Sequence, residues 1–358
     1  MNMFQPNWVN PPGATVLDLL HDRQISVSEL ANKAQRDIRS LSRLIHGVEP
    51  LTEDWAECLS MMLGASPSFW LRREQIYRAD LQRICESASN SPKDWLSDVP
   101  LKDLVRLGWI EQGASAEDTA LNACAFFGVT TSSSFQQKYQ KLFASSAYRA
   151  SNAFATNPSA VAAWLRQGEI LASAVDCEPW DRTKLESSLD AIRALSLEAE
   201  PSVFLPALKD ILASCGVAVV IARTPDGCRA SGATRFLSPE LALMQLSFRY
   251  LADDQFWFTV FHEIGHLILH AHDQLFLEGL EDRNSDAERE ADDFAVQAIF
   301  EKVGEEALYQ INTSLLGIKR LARNAGIADG LVVGQLQRLG RVPYKHFNKL
   351  KVRYTWVS

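Results

Sequence analysis

The 358 residues are 47% apolar and 22% charged, a composition that fits a soluble globular protein of two or three domains and excludes a disordered chain. No run of about 18 apolar residues would span a bilayer and no basic-then-apolar leader opens the chain, so a cytoplasmic protein without a membrane partner is expected. The net charge of −8 excludes a uniformly basic nucleic-acid binder, but it is uneven: residues 316–358 carry nine Lys or Arg against Asp329 alone, a local +8 that leaves −16 elsewhere. Such a tail expects an anionic partner or an acidic face of its own molecule. Six cysteines without a CxxC pair read as buried thiols, so any metal must be held by other side chains.

Residues 13–83 read as five short helices. Val16, Leu17 and Leu20 form the stripe of the first. In the second, Ser26 and Glu29 have capping-box spacing ahead of Val27, Leu30, Ala31 and Ala34. The third is capped by Asp37, buries Ile38, Leu41 and Ile45, and stops at Gly47. Trp55, Cys58, Leu59 and Met62 are in register in the fourth, and Ser66-Pro67 opens the fifth. This region, with "SVSELANKAQRDIRSLSRLIHG" in the place of helix two, turn and recognition helix, resembles the helix-turn-helix domain of Cro-type repressors, in particular the antitoxin-like branch. The resemblance implies that the third helix enters the major groove, with Arg36, Arg39, Ser40 and Arg43 toward DNA, and that a homodimer reads paired half-sites. Residues 1–85 hold nine basic and ten acidic side chains, so a bundle that docks on a partner instead of DNA is the competing reading.

From 86 a polar link, "ESASNSPKD", leads into helical pieces to about 198. One is capped by Ser115 and Asp118, one runs from Pro158 to a stop at Gly168, and one aligns Leu185, Leu189 and Ile192. No motif marks this stretch. After Gly216 the pattern becomes strand: "VAVVIAR", then "CRASGATRF", then "LALMQLSFRY" with Met244, Leu246 and Phe248 on one side. Asp253 or Asp254 then caps a helix reaching about His270.

That helix carries His262-Glu263-Ile264-Gly265-His266. Histidines four apart on a helix are about 40° apart around its axis and project from one face, near enough to share a metal ion. A glutamate between them is placed to act as a base without binding the metal. Two imidazoles leave a zinc site one ligand short. "SDAEREADDFAVQAIF" offers Glu288 and Asp292 on one helical face with Ala291 and Ala295, small residues that allow close packing. Glu288 is the expected third ligand and Asp292 the acceptor that fixes a histidine tautomer. Glu290, rotated about 200° from Glu288, is the alternative ligand. Taken alone, the eight acids between Glu278 and Asp293 would read as a solvated face. His270, one turn beyond His266, is a candidate to bind substrate or an oxyanion, or else a helix-end cap. Tyr250 and Arg249 are further oxyanion candidates, and "LALMQLSFRY" is the expected edge along which a substrate would lie.

Residues 199–358 resemble the ImmA/IrrE family of metallopeptidases through "FWFTVFHEIGHLILH" and "AEREADDFA". The resemblance implies a gluzincin-like fold, Zn2+ held by His262, His266 and Glu288, Glu263 as base, and cleavage of a repressor-like regulator in a stress or mobile-element response. The expected whole is α+β and mostly helical: a helix-turn-helix bundle at 1–85, a helical middle region at 86–198, a metallopeptidase domain with a small sheet at 199–315, and a basic segment at 316–358. The competing function is a transcription regulator whose zincin-like half senses a ligand or binds a partner without proteolysis.

Overall fold

The computed structural model describes residues 9–86, 96–144, 157–279 and 285–356. The polar link expected at 86–94 lies, from 87 on, outside them. The described chain is mostly helical with one three-stranded sheet and divides into two compact units. The first holds the described residues up to 142 with 157–176 and 224–228; the second holds 143–144, 177–223 and the described residues from 229 on.

The first unit begins with α1 (Pro12–Asp22), α2 (Val27–Ala34), α3 (Ile38–Ile45), α4 (Glu53–Leu63) and α5 (Pro67–Glu86). Side-chain oxygens set their starts: Ser26 Oγ accepts from Glu29 N, Asp37 Oδ2 from Ser40 N and Thr52 Oγ1 from Trp55 N. The capping box expected at Ser26 is half made, because the Glu29 carboxylate takes the Lys33 ammonium at 2.5 Å instead. Val16, Leu20, Leu30, Leu41, Ile45, Leu59 and Trp70 close the core between these helices.

Next come α6 (Leu101–Arg106), α7 (Ala116–Phe127), α8 (Ser132–Ala144) and α9 (Pro158–Ala172). Ser115 and Asp118 make the full capping box of α7. Gly168 does not stop α9; it lies buried inside the helix, which continues one turn to Ala172. Close packing of the helix around it outweighs the intrinsic cost of an interior glycine, about 1 kcal/mol.

The second unit opens with α10 (Arg182–Leu195) and α11 (Pro201–Ala213), followed by β1 (Val217–Ile221), β2 (Gly232–Ser238) and β3 (Leu241–Leu246). The strand order is β1-β3-β2. β3 runs parallel to β1, Val219 facing Met244, and antiparallel to β2, Thr234 facing Met244. The strand from "LALMQLSFRY" is therefore central and not an edge. It also ends at Leu246, since Phe248 and Leu251 take positive φ and turn the chain away. The strand from "CRASGATRF" begins only at Gly232. The outer side of β2 is bonded to residues 276–278: Thr234 and Phe276 exchange both backbone bonds, and Glu278 N donates to Gly232 O.

Helices α12 (Asp253–Leu269), α13 (Asp286–Phe300), α14 (Glu306–Gln310), α15 (Leu315–Ala325) and α16 (Asp329–Arg338) complete the unit. Asp253 and Asp254 lie in the first turn of α12, and its N-cap is Ala252 without a side-chain bond. The basic segment is built into the same core: Leu331, Val332, Val333 and Leu336 of α16 are buried in one cluster with Trp257, Val260 and Ile264 of α12 and Val219 of β1.

Candidate metal centre

Fourteen of the seventeen residues of α12 are buried, and this largely apolar stretch brings His262, Glu263 and His266 inside with it, besides Asp253 and Asp254 of its first turn. His262 and His266 project from one face, with their Nε2 atoms 2.9 Å apart. Against this face packs α13, and small residues permit the approach. Ala291 and Ala295 are fully buried, and a β-carbon on Gly265 would already stand 3.2 Å from Ala291 Cα. The close pairing carries Glu288 to the two rings: its Oε2 is 3.5 Å from His262 Nε2 and its Oε1 is 3.2 Å from His266 Nε2.

These three buried residues could hold a metal ion. The donors fit one chemically. Two imidazole nitrogens and a carboxylate oxygen are a zinc-type set, and Glu288 Oε1 is shut away from solvent without an aligned hydrogen-bond donor, a costly state that a cation would relieve. Burial opposes ionisation of Glu288, but the two rings hold its carboxyl well below the usual range. Burial likewise drives His266 down to about 4. For His262 burial is outweighed by Asp292 and Glu288, which raise it well above its ordinary value.

The outer ring nitrogens are also held. His262 Nδ1 lies 2.9 Å from Asp292 Oδ1, and Asp292 Oδ2 accepts from Arg338 Nη2 at 2.5 Å. The Arg338 guanidinium lies over the Phe258 ring, so α16 braces the centre from behind. His266 Nδ1 lies 3.1 Å from His270 Nδ1, and His270 Nε2 lies 3.0 Å from Glu290. Phe276 stacks on the His266 ring at 4.0 Å. His270 thus stands behind a ring and not over the cleft. Glu290, its side chain 62% exposed, pairs with His270 instead of the other two histidines.

The chain matches no family model, no curated protein and no solved structure among those compared.

Glu263 points to the sheet. Its Oε2 accepts from Thr234 Oγ1 of β2, its Oε1 has no donor among the described residues, and it is fully buried. Burial pushes its carboxyl pKa well up, with the charges of Glu278 and Glu288 adding to the effect and His262 opposing it. The room for it comes from Gly232, where any β-carbon would overlap Glu263 Oε1. Thr234, Gly232 and Arg338 escaped sequence reasoning because only the β2 pairing and the packing of α16 bring them near. Of the oxyanion candidates, Tyr250 lines the cleft beside His262 and Glu288, whereas Arg249 donates to Arg229 O.

The side chains expected to face DNA have divergent surroundings. Arg39 is exposed and Arg36 lies against the Trp55 ring, 3.7 Å from Asp54. Ser40 Oγ donates to Glu49 at 2.6 Å, and Arg43 Nη1 donates to Gly108 O and Trp109 O at 3.1 Å. Ser42 of α3 is buried, bonded to Ile170 O and Ser173 Oγ next to α9.

Proposed function

We propose that the second unit is a zinc-dependent endopeptidase of the ImmA/IrrE type, acting on a repressor-like regulator, and that the first unit couples it to DNA through a helix-turn-helix. The observation that carries the peptidase reading is the convergence of His262, His266 and Glu288 with Glu263 buried beside them. A zinc ion on those three side chains would supply a Lewis acid that acidifies water and polarises a peptide carbonyl. Glu263 acts as the base, taking the proton of the attacking water and handing it to the leaving amine. Thr234 holds one carboxylate oxygen and leaves Oε1 for that proton. Asp292, fixed by Arg338, keeps the His262 ring oriented with Nε2 inward.

Metal analysis with a proteolysis assay tests this. Purified protein should carry about one zinc and His262→Ala should lose it, while Glu263→Gln should keep the metal and lose at least a hundredfold in kcat, a usual loss for a catalytic base. Cleavage untouched in Glu263→Gln removes the peptidase reading and favours a sensor.

For the first unit, exposed Arg36 and Arg39 support DNA contact, whereas the internal bonds of Ser40 and Arg43 favour the docking-bundle reading. Replacing Arg39 and Arg43 together by alanine should weaken binding to the protein's own promoter region and flatten its salt dependence by about two counterions; unchanged binding would select the docking bundle.

A further inference from the structure

We infer that Glu278 makes the cleft beside the metal centre a binding site for a cationic group of a peptide: a lysine or arginine side chain, or an N-terminal ammonium. The inference rests on the peptidase reading for the kind of ligand, and on charge and geometry for the rest. The cleft, of about 430 Å³ and lined by His262 and Glu288, holds the acids Asp254, Glu278 and Asp292 and the cations Arg338, Lys351 and Arg353. Most are already matched. Lys351 Nζ donates to Asp254 at 2.6 Å, Arg338 to Asp292 at 2.5 Å, and Glu288 faces the two imidazoles. Arg353 lines the cleft, is exposed, and donates from Nη1 to Tyr250 O at 3.5 Å.

Glu278 is left over. Its Oε2 is shut from solvent and has no hydrogen-bond partner among the described residues. A carboxylate can only accept, and a buried oxygen without a donor is costly unless a ligand supplies one. The group is not on a loose loop: Glu278 N donates to Gly232 O and Glu278 O accepts from Ser231 N, which fixes it on the flank of β2. It is close enough to the centre for its charge to act on both His262 and Glu263. A peptide lying in this cleft beside His262 and Glu288 would therefore have a negative group on the same lining as those two residues. An ammonium or guanidinium there would form a charge-assisted hydrogen bond.

Binding of labelled pentapeptides to zinc-loaded Glu263→Gln protein, followed by fluorescence anisotropy, tests this without turnover. The peptides carry Lys, Gln or Glu at each position in turn, with the amino terminus free or acetylated. At one position lysine should bind about tenfold tighter than glutamine, the effect of about 1.4 kcal/mol. If acetylation alone removes the gain, the cation is the N-terminal ammonium. Glu278→Gln, with its zinc content checked, should erase the preference, and Glu278→Lys should turn it toward the glutamate peptides. Equal binding of lysine and glutamine peptides with either terminus overturns the inference, as does a preference that survives in Glu278→Gln. Failure of wild-type protein to cleave any peptide would remove the peptidase reading and leave this binding result standing.

Discussion

At the scale of single residues, the centre depends as much on what is missing as on what is present. Gly232 has no side chain, and that space holds Glu263 Oε1. Gly232→Ala should displace the carboxylate while sparing His262, His266 and Glu288, so zinc content should remain and kcat should fall at least tenfold, as expected when a base is moved from hydrogen-bond reach. Normal turnover in this variant would show that Glu263 has no fixed place in the reaction. The grouping of His262, His266 and Glu288 was legible in the sequence because residues four apart share a helical face, a rotation of about 200° separates Glu288 from Glu290, and the small Ala291 and Ala295 mark the face that packs on α12. Gly232, Thr234 and Glu278 were not, since strand pairing and not local period puts them beside α12. In sequence, Glu278 is one acid among eight.

At the scale of elements, helices were easier to read than the sheet. Caps such as Ser115, Asp37 and Ser66 are local, and so is the apolar stripe that follows each. Strand order is not: nothing in "LALMQLSFRY" tells that it will be inserted between β1 and β2, and the edge assignment failed for that reason. Gly168 misled in the opposite sense, as burial held a helix together through a residue that punctuates exposed ones. The junction of α3 and α9 gives a testable consequence. His46, at the end of α3, touches Ser173 Oγ and Arg166 Nη2. Burial first and the Arg166 guanidinium second push its pKa down to about 3, with Lys138 acting the same way and Glu169 opposing. The unfolded ring binds a proton near pH 6.5, so the folded form loses stability as pH falls from about 6.5 toward 3, and the full contribution is present above that window. Urea denaturation should give a lower midpoint at pH 5 than at pH 7, and His46→Gln should remove part of that difference. A variant with the same pH slope would show that another group is responsible.

At the scale of the molecule, α12 and α13 are joined across three ionisable groups that a cation would bind together, so the metal should be part of the stability of the second unit. Zinc at about a thousand times its dissociation constant would add about 4 kcal/mol. Calorimetry should therefore show a transition that moves to lower temperature on chelation and returns when zinc is restored, with no such movement in His262→Ala. An unmoved transition in the wild type would mean that the site holds no ion.

The brace on His262 runs through Asp292 to Arg338, forty-six residues past the nearer of the two partners. A nascent chain on the ribosome can have made both histidines and Glu288 and still have nothing to anchor Asp292. In the proposed peptidase, hydrolytic competence would thus arrive late in synthesis, after α16 has emerged and seated.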